Sequence, residues 1–209
     1  MKRIFCFFSL LVSLFLVLFL AGCWNPFKPD TGPGDGPPVE ELRPRDNPQN
    51  VLHNLRVIYG GMDNSVNTPE DAHNLALKYR DLFDPQFRFY FINGEEPATW
   101  PEGWWGKNDE VAGFDTLMTK RALGIVTEIQ LSWSPGAAIP DNRANPNPPP
   151  ALLHPGWLWI HVNSVLLDVV QGPNVLRVPR GLAEFYFGPD PADSTQWVIT
   201  EWRDVQTPL

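Results

Sequence analysis

The chain has 209 residues, 24 acidic and 16 basic, and a formal charge of −8 with His neutral. That balance argues against nucleic acid as a partner, because such binding draws on phosphate neutralisation by Lys and Arg. Two cysteines, Cys6 and Cys23, are too few for a disulfide framework.

In chain order, Met1-Lys2-Arg3 opens with two cations, and an apolar run follows from Ile4 to Leu20. The run is long enough to cross a bilayer. Its layout is also that of a secretory signal: basic start, apolar middle, small residues before a cut. Leu20-Ala21-Gly22-Cys23 closely resembles the lipobox of bacterial lipoproteins. The resemblance implies a signal peptide over 1–22, lipid on the Cys23 thiol, and Cys23 as the first mature residue. Removing Lys2 and Arg3 with that peptide takes the net charge from −8 to −10. The expected location is extracytoplasmic, lipid-anchored to the cell envelope through Cys23. Trp24, where enteric lipoproteins retained at the inner membrane carry Asp, favours the outer membrane over the inner one, with the domain in the periplasm. With Cys6 removed and Cys23 acylated, no thiol is left for a disulfide, a metal or a nucleophile.

Residues 23–46 read as a Pro/Gly-rich tether, with "PDTGPGDGPP" at the centre. Such a stretch cannot bury enough apolar surface to offset its ordering entropy. One domain follows over 47–209. "NPQNVLHNLRVIYG" predicts a helix with Val51, Leu55 and Ile58 on one face, ended by Gly60-Gly61. "NTPEDAHNLALKYRDLF" predicts a second: Thr68 caps it, Pro69 opens it, and Asp71 completes a capping pattern. "DPQFRFYFIN" alternates as a strand, with Phe87, Phe89 and Phe91 opposite Arg88 and Tyr90. A third helix follows "WPEGWWGKN", with Asn108 as cap, Asp109 and Glu110 in the first turn, and Val111, Phe114 and Met118 inward. "TEIQLSW", "GWLWIHVNSVLLDVVQ", "VLRVPRGLAEFYF" and "QWVITEWRDV" complete the set as strands. The second of these is long enough to bend, and Pro179 and Gly181 mark an edge or bulge in the third. Residues 135–155, with seven Pro in 21, form a long loop that is either functional or loosely ordered.

The expected class is α+β, with about three helices packed on a strongly curved antiparallel sheet of four to six strands. This order, with "DLFDPQFRFYF", "WWGKNDEV" and "WVITEWRD", resembles the nuclear transport factor two-like superfamily of cone-shaped domains, over roughly residues 47–207. Its members include ketosteroid isomerases and SnoaL-type polyketide cyclases. The resemblance implies a pocket at the wide end of the cone, lined by the concave face of the sheet. The isomerase Tyr and paired Asp have no match here.

Four His (His53, His73, His154, His161) show no metal-ligand spacing, so neither a metal nor another cofactor is expected. Trp157, Trp159 and His161 share one strand face and, with Tyr90, are candidates to line the cone pocket. His161 could serve there as an acid or base, or be an ordinary hydrogen-bonded sheet histidine. Glu201, Arg203 and Asp204 could form the carboxylate-Arg-carboxylate set of the epoxide-hydrolase branch, or a cross-strand ion pair beside a core Trp. Trp100, Trp104 and Trp105 invite carbohydrate stacking, though a loop folded over the helix mouth explains "GWWG" equally. Three functions follow from these residues and from what the resemblance implies. The first is non-catalytic binding of a small apolar ligand or an envelope protein. The second is an isomerase, cyclase or epoxide hydrolase, and the third is a structural accessory lipoprotein.

Overall fold

The computed structural model describes residues 40–60, 66–92, 94, 96–144 and 152–205. The signal peptide, Cys23, most of the tether, Gly61 and the centre of the proline-rich loop lie outside the described residues. Three helices and seven strands follow in chain order: α1 (Pro48–Tyr59), α2 (Pro69–Arg80), β1 (Phe83–Tyr90), β2 (Trp104–Gly106), α3 (Lys107–Ala122), β3 (Glu128–Pro135), β4 (Ile139–Pro140), β5 (Leu158–Gln171), β6 (Asn174–Pro189) and β7 (Trp197–Val205).

Local chemistry sets the helix starts. Asn47 accepts a hydrogen bond from the Asn50 N–H at 2.9 Å, with Pro48 just inside α1. Thr68 and Asp71 close a reciprocal capping box on α2. In α3 the cap is Gly106, not Asn108, which is already helical; Asp109 reaches back to the Gly106 N–H at 3.2 Å. Residues 40–46, assigned from composition to the tether, instead lie against the domain. Glu40 pairs with Arg56, Asn54 brackets the Arg43 backbone, and Arg45 bonds Asp190 at 2.9 Å.

The strands form one sheet in the order β2-β1-β7-β6-β5-β3, with the short β4 also on β5. Every pairing is antiparallel except β1 with β7, so the sheet is mixed. This pair is parallel because the chain passes through α3 and the other strands before β7 returns beside β1. Register breaks in β5 near Val162–Leu167, where Ser164 has φ 55°, bend that strand; the partner breaks in β6 fall around Gly181. The result is a half-barrel curled around the three helices.

The inner face is filled. Phe87, Phe89, Ile160, Val162, Phe185, Phe187, Ile199 and Trp202 are buried in one cluster with Leu55, Ile58, Leu75, Tyr79, Phe114 and Met118 from the helices. Opening a ligand chamber there would expose several of these side chains at ~2 kcal/mol each. Among the described residues, these positions of the inner face are taken by core packing.

Candidate functional site

Strand alternation places the residues between these buried positions on the outer face. Ile160 and Val162 are buried, so Trp159 and His161 point away from the helices. This corrects the expectation that Trp157, Trp159 and His161 line a concave pocket. The Ile/Val positions of β5, not its ring positions, take the core.

Two rows of cross-strand neighbours build the outer face. One runs Trp104, Tyr90, Arg203, Glu184, His161 across β2, β1, β7, β6 and β5. The next runs Gly106, Arg88, Glu201, Tyr186, Trp159, and ends at Ile139 of β4. Rings and guanidiniums alternate and stack. Arg88 lies 4.4 Å from the Trp104 centroid, Arg203 4.3 Å from Tyr90, and Arg143 3.7 Å from Tyr186. Trp159 stacks on the far side of the row, its ring 20° from that of Tyr186.

Arg143 comes from the start of the proline-rich segment and joins Asp141 to the sheet. Its guanidinium bonds Glu201 at 2.8 Å and Asp141 through two nitrogens at 2.8–3.1 Å, while Arg203 bonds Glu201 from the other side at 2.7 Å. Burial alone would raise the Glu201 carboxyl, but hydrogen bonds from Arg143 and Arg203 outweigh it and hold the group below the usual carboxylate range. Asp141, with its side chain 1% exposed, behaves alike: burial opposes ionisation and Arg143 overcomes it. Burial, then Glu184, pushes the Tyr186 hydroxyl up to about 12.

Beside this network lies a cleft of about 640 Å³, within the range of small-molecule sites. Asp84, Gln86, Arg88, Tyr90, Trp157 and Glu201 are among its lining groups. Trp157 forms one wall. It stacks on His154 at 3.7 Å and 9°, and its indole sits close to Gly188, where an added Cβ would come 3.0 Å from its Nε1. Burial, with help from Arg143, lowers the His154 pKa from its ordinary value and favours the neutral ring. A second cleft of about 390 Å³ adjoins the first, sharing Pro85, Gln86 and Arg88 and reaching Trp104 and Lys107.

The sequence candidates thus divide. Tyr90, Trp157 and Glu201 meet in the cleft, with Arg203 in the network behind it. Trp159 and His161 sit farther along the same face, where His161 Nε2 is 3.1 Å from Asn163 Oδ1. Asp204 shares the parity of buried Trp202 and adds its charge to the environment of Glu110. Glu201, Arg203 and Asp204 therefore do not converge as one catalytic set. The three tryptophans of the "GWWG" region divide too. Trp100 and Trp105 pack with Phe91, and Trp104 faces outward under Arg88.

Sequence reasoning missed Arg88, Arg143, Asp141 and Glu110 as site residues. Glu110 is the buried carboxyl of the cone interior. It accepts from Tyr79 Oη at 2.5 Å and from Trp105 Nε1 at 2.9 Å, and burial above all raises its pKa. Its spacing was the available signal: Glu110, Phe114 and Met118 form one helical stripe. Among the described residues no group of three or more His, Cys, Asp or Glu is arranged to hold a metal ion.

The sequence matches no family model and no curated protein. Solved structures do resemble it. A conserved protein from Planctomyces limnophilus is 11% identical, with 77% of this chain and 94% of that one covered and a TM-score of 0.47. The beta subunit of benzoate 1,2-dioxygenase from Burkholderia mallei is 9% identical, covering 76% and 87%, with a TM-score of 0.46. A nuclear transport factor 2-like superfamily protein from Salmonella enterica serovar Typhimurium is 14% identical, covering 76% and 94%, with a TM-score of 0.41. The likeness is to the cone-like architecture of these proteins: three helices packed in a strongly curled mixed sheet. The strand order and the three helices in the curl of the sheet carry that statement, and it extends to fold alone.

Proposed function

We propose that this protein is a lipid-anchored, extracytoplasmic binding domain that holds a ligand in its outer-face cleft without transforming it. The lipobox-like Leu20-Ala21-Gly22-Cys23 supports the anchor, and Trp24 favours the outer membrane. One observation carries the binding reading. The cleft joins half-buried rings to polar groups, while the carboxylate at its floor, Glu201, is clamped between two guanidiniums. A carboxylate held ionised by two arginines has no proton to donate and is a poor base. It suits a fixed floor better than a reacting group. The mixed lining also favours a ligand with polar edges over a wholly apolar one, which would desolvate Asp84, Gln86 and Arg88 without replacing their water.

Glu110 favours a second reading, an envelope enzyme of the isomerase or cyclase kind. A carboxyl with a raised pKa beside a tyrosine hydroxyl is acid-base equipment. That group lies behind Tyr79, Trp105 and Phe114, however, and a substrate would have to displace them.

Soaking crystals of the protein with phenol and with glycerol separates the readings. The binding account expects both probes between Trp157 and Arg88. Probe density beside Glu110, with none in the cleft, would replace it with the enzyme account.

A further inference from the structure

We infer that the ligand of the outer-face cleft is a saccharide, one that runs along β1 across both clefts. The inference rests on the binding reading above and adds the ligand's chemical class. Three features of the surface converge on it.

The first is rigid aromatic faces at both ends. Trp157 is pinned against His154 and Gly188, and Trp104 is covered by Arg88, yet both residues stay partly exposed. A ring already pinned loses little freedom when a flat apolar surface lands on the part of it that stays exposed. The C–H face of a pyranose is such a surface, apolar and slightly positive against the negative aromatic face.

The second is the polar rim. Asp84 and Glu201 offer acceptors, Arg88 offers donors, and Gln86 offers both. Vicinal hydroxyls are donors and acceptors spaced to meet a carboxylate or guanidinium through two bonds. An apolar ligand leaves these groups unpaired, whereas a saccharide satisfies them.

The third is the state of Arg88. It is exposed and among the described residues it stacks on the Trp104 ring, whereas Arg143 and Arg203 spend donors on Glu201 and Asp141. Arg88 also belongs to both clefts. Its guanidinium thus stands at the junction, where a glycosidic chain passing from Trp157 to Trp104 would cross it.

Calorimetric titration of the full chain with N-acetylglucosamine oligomers, cello-oligosaccharides and oligogalacturonates of increasing length tests this. At least one series should bind, more tightly as length grows from one cleft's span to two. Trp157→Ala and Arg88→Ala should each weaken it by about tenfold or more. Leu176→Ala, at the opposite end of β6, should leave it unchanged. Binding that ignores both Trp157→Ala and Arg88→Ala overturns the inference. So does failure of all three series while phenol still occupies the cleft, an outcome that leaves the binding site intact and removes only the saccharide. Failure of both phenol and sugars in the cleft removes the binding reading as well.

Discussion

Arg143 and Glu201, 58 positions apart in the chain, meet at 2.8 Å across the outer face of the sheet. This contact ties the stretch that holds Asp141 and Arg143 to the last strand, and Asp141 is buried beside it. Replacing Arg143 by Met would leave Asp141 enclosed without its cation and Glu201 with one arginine. Breaking such a pair from one side costs about 3 kcal/mol. Urea unfolding should show that loss for Arg143→Met, and Asp141→Asn added to it should restore most of the stability.

Two kinds of carboxyl give stability opposite slopes against pH. Asp141 and Glu201 have depressed folded pKa values, so their contribution is present above the ordinary carboxylate range and is lost as pH falls through the folded values. Glu110 is raised, chiefly by burial, so its contribution is present below the ordinary value and is lost as pH climbs through the raised one. Glu110→Gln removes only the second slope. The stability of this variant relative to the parent should therefore increase with pH above the ordinary glutamate range. A difference that stays flat in denaturant midpoints measured across that range would show that Glu110 is not raised.

Gly188 tests the wall of the cleft. A methyl group there would lie 3.0 Å from Trp157 Nε1 and 3.1 Å from Thr200 Cγ2. The indole must lift from β6, since the backbone beneath it cannot yield. Gly188→Ala should cost about 1–2 kcal/mol and alter the near-ultraviolet dichroism of the tryptophans.

The anchor has its own test. Cys23→Ser removes the thiol that a lipidated amino terminus requires. The variant should leave the membrane fraction or accumulate unprocessed, and mass spectrometry of the parent should find acyl groups on Cys23 with residues 1–22 absent.

Much of the frame was legible because its causes are local. Thr68-Pro69-Glu70-Asp71 specifies a helix start by itself, and the Phe87/Phe89 alternation specifies a strand. The shared face of Trp157, Trp159 and His161 was legible for the same reason. Which side of the sheet that face occupies was not, because a period of two is silent about inside and outside. The competing face, Ile160 and Val162, decided it by packing against the helices. The site depends on contacts local patterns do not encode: Arg88 beside Glu201 in a parallel register, and Arg143 reaching across from a loop. Glu110 was hidden differently. Its place in the first turn accounts for a charge at the helix start, and only its alignment with Phe114 and Met118 marks it as inward.

The central claim is that ligands meet the outer face of the sheet and not the interior of the cone. Indole N–H resonances report on both. Trp157 and Trp104 lie at the clefts, Trp105 bonds Glu110, and the Trp202 Nε1 is buried without a hydrogen-bond partner among the described residues. Titrating the protein with phenol should shift the Trp157 and Trp104 signals and leave those of Trp105 and Trp202 in place. Movement of Trp105 and Trp202, with Trp157 and Trp104 still, would put the site inside the cone and contradict the account.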